Sequence, residues 1–554
     1  MPVHVPKTNP FDDSAAISEA RAYRCQDDIQ DSFSAYLCDE SRFPGGCIDE
    51  LVFTNSEKQI IDALNRASAQ DLPVTVSAGR TGIVAGAVPL GGILISLENM
   101  RKWYGVRWND ETGKWCVRLQ PGISLDTLQE NLDQGIFERI PGKNGSTNDN
   151  SPVDTAWEKF KSESANWFYP VDPTEKSAHL GGTVATNASG ARSFKYGQTR
   201  EHITGLRVIL MDGTVLDLQR GQYIAQAGDS FIIEGNTAPI NLPVPFYHAP
   251  VVKNAAGYFS SHPMDLIDYF IGSEGTLGVL SAIEISLERK PEFKLCGIAF
   301  FEEEKDAIHF VQLLREARKT NDYIDPAAIE YFDSGSLNLL RNKQADDGSG
   351  SSIPPFPDGA GAAIYFEQEG KEDDLDNFFE AYDQCLTQCN SSMDETWGGM
   401  DQDELTRMAH FRHALPETIN GIIGQRQKNC PALYKVGTDF AVPDENLEKM
   451  IDVYRQKLDD AGHEYAIFGH IGENHLHVNI LPANEKELKE AKTLYTEFAK
   501  EAVALNGTIS GEHGVGKLKK NLLGLLYKPE ALDEMKKIKQ SLDPRNLLGN
   551  GNLF

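Results

Sequence analysis

Residues 169–201 read YPVDPTEKSAHLGGTVATNASGARSFKYGQTRE. Gly181, Gly182, Asn187, Gly190 and Gly197 crowd into this one segment among small and amide side chains. Each glycine gives up more conformational freedom on folding than any other residue, so turns alone are a poor reason for such density. A backbone that must pass close to a bound ligand is a better one. Upstream, residues 77–89 read SAGRTGIVAGAVP and follow a β-branched stretch, with Gly79, Gly82 and Gly86 free to turn N–H groups toward an anion. Their spacing is neither that of a Rossmann turn nor that of a P-loop. Downstream lie KNAAGYF at residues 253–259 and IGSEGTLGVLSAIEI at 271–285, where Gly275 and Gly278 separate a helix from an apolar strand. Together the four segments point to a phosphate-bearing cofactor held largely by backbone.

Outward from these segments the chain alternates helix and strand. SEKQIIDALNRASAQ has the period of an amphipathic helix and leads to the strand LPVTV; LGGILISLENM is a second strand. LRVILMDGTVLDL is a hairpin whose Asp212-Gly213 pair suits a turn with positive φ. Residues 1–44 are expected to be a polar, helix-prone N-terminal extension, and 45–290 a cofactor domain with surface insertions near 142–166 and 221–250. From residue 291 long amphipathic helices such as EEEKDAIHFVQLLREARK and KEDDLDNFFEAYDQCL alternate with short apolar strands, which sets a second domain over 291–525. A Gly/Ser/Pro-rich loop, GSGSSIPPFPDGAG, interrupts it. Residues 526–554 are expected to pack back on the first domain. There is no internal repeat.

Composition narrows the partners. The chain has 554 residues, ample for two domains, and is 40% hydrophobic and 24% charged, an ordinary globular profile. Its 82 Asp+Glu against 53 Lys+Arg give a net charge of −29, a field that repels nucleic acid and anionic lipid. An acidic substrate would therefore need a metal or a few local cations. The eight cysteines lack the short paired spacings of metal ribbons and are expected to be reduced thiols, with Cys385 and Cys389 as helical core residues. Without a signal-like start or a run approaching ~20 apolar residues, the expectation is a cytoplasmic protein with no transmembrane segment.

HEYAIFGHIGENHLHVNILP, residues 463–482, reads as two strands joined by a turn at residues 471–474. Alternation then places His470, His475, His477 and Asn479 on one face. Imidazoles gathered on one face, with a carboxylate, suit zinc or a similar divalent ion. Spacing does not choose between His475 and His477. NGTISGEHGVGKLKK at 506–520 brings Glu512 and His513 between glycines; FRHALPETIN and LYKVGTDFAVP carry Arg412 and Lys435.

The order of the four glycine-rich segments is similar to the FAD domain of the vanillyl-alcohol oxidase/para-cresol methylhydroxylase superfamily. The second half resembles its branch of D-lactate, glycolate and D-2-hydroxyglutarate dehydrogenases. The resemblance runs over roughly residues 45 to 554, apart from the two insertions. It implies an α+β protein: a two-subdomain FAD domain, plus an α/β substrate (cap) domain with an antiparallel sheet. By that resemblance Ala78, Gly79, Arg80, Thr81, Gly82 and Ile83 wrap the FAD pyrophosphate. Pro170, Thr183, Thr186, Asn187, Gly190, Ala191, Tyr196 and Gly197 line the cofactor, as do Glu274, Gly275, Gly278 and Val279. Members that attach FAD covalently commonly use a His where this chain has Thr81, so the FAD is expected to be non-covalent. The chain departs from the family at its C-terminus, where Gly549-Asn550-Gly551-Asn552 stands in place of Asn-Pro-Gly-Lys.

The family pattern Gly-His-hydrophobic-Gly-acidic-Gly-Asn-hydrophobic-His-x-Asn makes His470 and His477 metal ligands and Asn479 a substrate contact. His475 is an addition to that pattern, for which a structural or outer role is expected. The resemblance further makes Glu512 the third ligand, His513 the base, and Arg412 and Lys435 the cations that hold the substrate carboxylate. The implied reaction takes the hydroxyl proton of a metal-held 2-hydroxy acid to His513 and the Cα hydride to flavin N5. The electron acceptor stays open among an electron-transferring flavoprotein, a quinone, a cytochrome and oxygen, and a homodimer is among the assemblies allowed. Two rivals remain: an oxidase of another alcohol or an ether-lipid synthase on the same FAD domain, and an FAD-binding electron-transfer subunit of a larger complex.

Overall fold

A computed structural model describes residues 2–11, 20–140, 153–348, 351 and 353–554. Residues 12–19 of the expected extension, 141–152 of the first expected insertion, and 349, 350 and 352 of the Gly/Ser/Pro-rich loop lie outside the described residues.

The expected helix SEKQIIDALNRASAQ forms at Glu57–Gln70, capped by Ser56, whose hydroxyl accepts from the Gln59 N–H. It crosses over between parallel strands of a four-stranded sheet in which Glu50–Phe53, Ile93–Ser96 and Val74–Ser77 are neighbours. A second, antiparallel sheet orders Val215–Gln219, Ile203–Ile209, Val279–Ser286, Lys114–Leu119 and Trp103–Asn109. The expected hairpin at Asp212-Gly213 is its edge, with Ile209 opposite Val215 and the positive φ (+77°) on Gly213 alone.

The third sheet is antiparallel. Its order is Trp397–Gly399, Phe293–Phe301, Ala362–Gly370, Pro326–Phe332, Tyr465–His470, His475–Ile480 and Val436–Gly437, with Phe440–Ala441 also on His475–Ile480. Its central strands are buried on both faces: Ala299 and Phe301 belong to one apolar cluster, Ile298 and Phe300 to another. Helices Glu304–Thr320, Leu447–Ala461 and Glu485–Ala504 supply the first cluster, and Ser334–Asp347 and Gln402–Gln427 the second. Two covered faces explain why these strands read as continuous apolar runs rather than alternating ones. The chain is thus α+β.

Three expectations change. The polar N-terminus is not simply helical: Val3–Val5 is a strand parallel to Ser230–Ile233, and Arg21–Tyr23 pairs with Glu50–Phe53. The 221–250 segment is more than surface, since Phe231 and Ile233 are fully buried in the small sheet that Val3–Val5 completes. The described part of the first insertion is a helix, Val153–Glu163, whose Trp157 and Phe160 are buried near Trp103 and Trp115. In each case a few apolar side chains in a polar stretch find a core that local composition does not announce. At the other end, the Val74 N–H donates to Leu547 O and the Gly549 N–H to Val74 O, so the C-terminal segment lies along the four-stranded sheet.

Candidate active site

The four glycine-rich segments converge. Gly272 and Glu274 N–H groups donate to Val184 O and Ala185 O, which ties residues 271–275 to 180–187. A Cβ on Gly79 would stand 3.2 Å from His179 N, and one on Gly182 would stand 3.6 Å from the Ala78 Cβ, so the first loop lies on the second segment. Lys253 Nζ reaches Gly190 O at 3.2 Å. Arg80, Ala85, Asn187 and Glu274 all hold positive φ without being glycine, a strain that collects where a backbone is shaped for a ligand. Among the described residues, nothing accepts a hydrogen bond from the backbone N–H groups of residues 79–83. Tyr169 Oη, His179 Nδ1 and Gln198 Nε2 are buried polar atoms without a hydrogen-bond partner among the described residues. A loop of free amides beside orphaned polar atoms fits a pyrophosphate-bearing cofactor.

Not every residue expected there offers its side chain. The Thr183 and Thr186 hydroxyls donate to Leu180 O and Gly182 O. Asn187 ends its helix at φ +48° and accepts from the Arg200 N–H. Pro170 and Ala191 are buried, Gly197 holds φ +80°, and Tyr196 donates to Glu369 of the third sheet. Gly278 lets the strand that begins at Val279 run opposite Ile209, because a Cβ on Gly278 would come within 2.4 Å of the Val208 Cγ1. The Glu274 carboxylate accepts from the Val515 and Gly516 N–H groups at 2.8 and 2.6 Å, and burial lifts its pKa to about 7 despite them. The loop that bears Glu512 and His513 is therefore braced on the glycine-rich segments. Lys517 adds Nζ contacts to Ala85 O and Asn552, and Asn552 reaches Gly86 O and Glu274 O. The unusual C-terminus sits at this junction.

The hairpin forms with the expected register, His470 opposite His475, around the turn at Ile471–Glu473. His470, His475, His477 and Glu512 offer ligand atoms that all lie within 4.8 Å of one another. Behind each imidazole stands an acceptor. His470 Nδ1 is 2.5 Å from Glu330 Oε1, His477 Nδ1 is 3.1 Å from Thr438 O, and His475 Nε2 is 2.9 Å from Asp439 Oδ1. Acceptors on the outer nitrogens hold the ring protons outward and turn lone pairs inward, the arrangement of metal-ligating histidines. His470 Nε2 is 3.1 Å from Glu512 Oε1, and His477 Nε2 is 3.9 Å from Glu512 Oε2. The donor set fits a divalent ion.

Charge is concentrated here. Burial opposes ionisation of Glu330, but His470 and Arg412 hold it down at about 2. Burial also opposes protonation of His470, and Glu330 and Glu512 outweigh it, raising its pKa to about 9. His477 is pushed down to about 3 by burial and by its neighbours His475 and His470. Glu512 stays well below the carboxylate range against its burial, through His470 and Lys253. Lys253, its side chain fully buried, lies 2.6 Å from Glu512 Oε1 and 2.9 Å from Glu473 Oε2. It joins the third glycine-rich segment to the hairpin.

His513 Nδ1 is 3.2 Å from Asp439 Oδ2. The same buried carboxylate accepts from His475, the Glu512 and His513 N–H groups, Ser510 and Lys519. One residue thus orients both loops. Arg412 Nε stands 3.4 Å from Glu330 Oε2, on the helix Gln402–Gln427, where Pro416 has no N–H to give to the Arg412 carbonyl. Lys435 has no carboxylate partner among the described residues, and burial lowers its pKa. Asn479 follows His477 by two positions, with its Oδ1 3.3 Å from where a Gly437 Cβ would be.

Glu330, Asp439, Thr438 and Lys253 were not among the expected site residues. A lone Glu in the apolar run PAAIEYF, and Asp439 opening the strand FAVP, were the available signals.

The same two halves appear in known proteins. Residues 48–146 and 157–219 match the family described as FAD binding domain, and 290–553 match FAD linked oxidases, C-terminal domain. The chain is an FAD-linked oxidoreductase of the vanillyl-alcohol oxidase/para-cresol methylhydroxylase superfamily. This enzyme is 28% identical over 515 residues to the glycolate oxidase subunit GlcD of Bacillus subtilis, covering 91% of this chain and 89% of that protein. It is 25% identical over 539 residues to the D-2-hydroxyglutarate dehydrogenase of Stutzerimonas stutzeri, with 95% of each covered. It is 26% identical over 511 residues to a probable mitochondrial D-lactate dehydrogenase of Danio rerio, covering 91% and 84%. A solved structure of alkyldihydroxyacetonephosphate synthase shares the fold at a TM-score of 0.61 and 15% identity, covering 98% of this chain and 88% of that one. Among the described residues of the enzyme, no helix is long and apolar enough to cross a membrane.

Proposed function

We propose that this enzyme is a metal-assisted dehydrogenase that oxidises a D-2-hydroxy acid of the lactate, glycolate or 2-hydroxyglutarate type to the 2-oxo acid. The observation that carries the reading is His513: its Nδ1 faces the buried Asp439, and it neighbours Glu512 of the His470/His477 cluster, on a loop braced by all four glycine-rich segments. Held at Nδ1, the imidazole is free at Nε2 to take a hydroxyl proton, the arrangement of a base fixed by a carboxylate. Arg412 and Lys435 give the acidic chain the local positive charge that a carboxylate substrate needs, and Asn479 adds a polar contact. When bound, FAD would supply the hydride acceptor and the divalent ion would polarise the hydroxyl. Zinc, which binds imidazole and carboxylate together, is the ion proposed. The relatives named for glycolate, D-lactate and D-2-hydroxyglutarate support the substrate class. The eight unpaired cysteines support a reducing, intracellular setting.

The test is anaerobic bleaching of the flavin by a panel of D- and L-2-hydroxy acids, before and after chelation. A D-acid is expected to reduce the flavin and its enantiomer to fail, with reduction lost on chelation while FAD stays bound. Equal bleaching after complete metal removal would sink the metal-assisted reading. The rival, an FAD-bearing subunit of a larger complex, draws on one relative being titled a subunit; failure of every 2-hydroxy acid to bleach the isolated chain would favour it.

A further inference from the structure

His475 takes no part in the proposed reaction, and it is the most completely enclosed of the three hairpin imidazoles, with none of its side chain exposed. Its Nε2 points at Asp439 Oδ1, an acceptor with no proton of its own to give, so the ring proton sits on Nε2 and Nδ1 carries a lone pair. Among the described residues, that Nδ1 has no hydrogen-bond partner. A buried acceptor left unmet is costly, and a native fold keeps one where something else fills the need. Nδ1 faces Glu512 Oε1 at 4.0 Å, too long for a hydrogen bond but suited to two donors on one ion. The His475 ring centroid lies 4.5 Å from that of His477 and 5.5 Å from that of His470. Gly511 lets the ring sit there: a Cβ at that position would come within 2.8 Å of the His475 Cδ2.

We infer that His475 Nδ1 is a fourth protein ligand, so that the ion is held by three imidazoles and Glu512 rather than by His470, His477 and Glu512 alone. The inference rests on the metal reading of this site. The symmetry of the three rings sets a ligand apart from a purely structural role: each has its outer nitrogen engaged by an acceptor and its inner nitrogen 3.1–4.0 Å from a Glu512 oxygen. Three imidazoles and a carboxylate would retain the ion more tightly than three protein ligands do, and the substrate hydroxyl would enter as a fifth donor.

The experiment is X-ray absorption on the zinc-loaded, FAD-containing enzyme and on His475→Gln, with zinc affinity measured by chelator competition. Glutamine sets an amide N–H at the reach of Nε2, keeping the bond to Asp439, and offers nothing at Nδ1. The wild-type edge is expected to fit three imidazoles and the variant two, with zinc held at least about tenfold more weakly at equal FAD content and Tm. Two imidazoles in the wild type, or a variant that binds zinc as the wild type does, would overturn the fourth ligand and leave the three-ligand site standing. A wild-type enzyme that takes up no zinc would overturn both. Should His475→Gln fail to fold, the wild-type imidazole count decides alone.

Discussion

The glycine loop at residues 79–83, followed by Val84 whose carbonyl accepts from the Lys517 N–H, and the histidine hairpin at 465–480 both border the loop that bears Glu512, yet they are built from opposite materials. The loop works through main chain: amides that meet no acceptor among the described residues, left-handed φ at Arg80, and exposed Gly82 and Ile83. The hairpin works through side chains, and each of its imidazoles is aimed by an acceptor that comes from another strand or loop. A site made of backbone tolerates most side-chain changes but not an added Cβ where space is closed. A site made of aimed side chains tolerates neither loss of a ligand nor loss of the group behind it. Cofactor binding and substrate chemistry should therefore be separable by mutation.

The largest effect is expected at the chemistry. His513→Ala should keep FAD and slow anaerobic flavin reduction by about 10²–10⁴-fold, read by stopped-flow absorbance; an unchanged rate would remove His513 from the reaction. Behind the ligands, Glu330→Gln should weaken metal binding by roughly 10–100-fold at unaltered FAD content. Chelator competition reads it, and parallel loss of FAD would mean that the two halves do not separate. On the backbone side, Gly190→Ala puts a Cβ 2.2 Å from Asp172 O. It should cost about 1–3 kcal/mol, seen as a lower Tm and weaker FAD retention. The smallest effect is at Lys435. Its pKa is lowered by burial, so its charge is present at lower pH and lost as pH rises through that lowered value. KM for a carboxylate substrate should climb on the alkaline side, before an ordinary lysine would titrate. Lys435→Arg, which stays charged, should flatten that limb.

The hairpin register was legible because strand alternation and a four-residue turn leave one pairing, His470 opposite His475. So were the helix Glu57–Gln70 and the turn at Gly213, both local in origin. The buried insertions were not: Phe231 and Ile233 read as part of a turn-rich loop until Val3–Val5, far away in the chain, pairs beside them. The same distance hid Glu330, which belongs to an apolar strand and reaches His470 only through the pairing of Pro326–Phe332 with Tyr465–His470.

Residue types and their local spacing are already set along the chain: glycines where a backbone must bend toward a ligand, three histidines on one face of a hairpin, and a Glu-His pair in a tight turn. Periodicity and turn chemistry act within a few residues, so they can be read along the chain. Which acceptor stands behind each imidazole, that Asp439 serves His475 and His513 together, and that Lys253 joins the third glycine-rich segment to Glu512 were decided only by tertiary structure. Those contacts join residues remote in sequence, and they form only when the two halves pack cooperatively around one buried, charged centre.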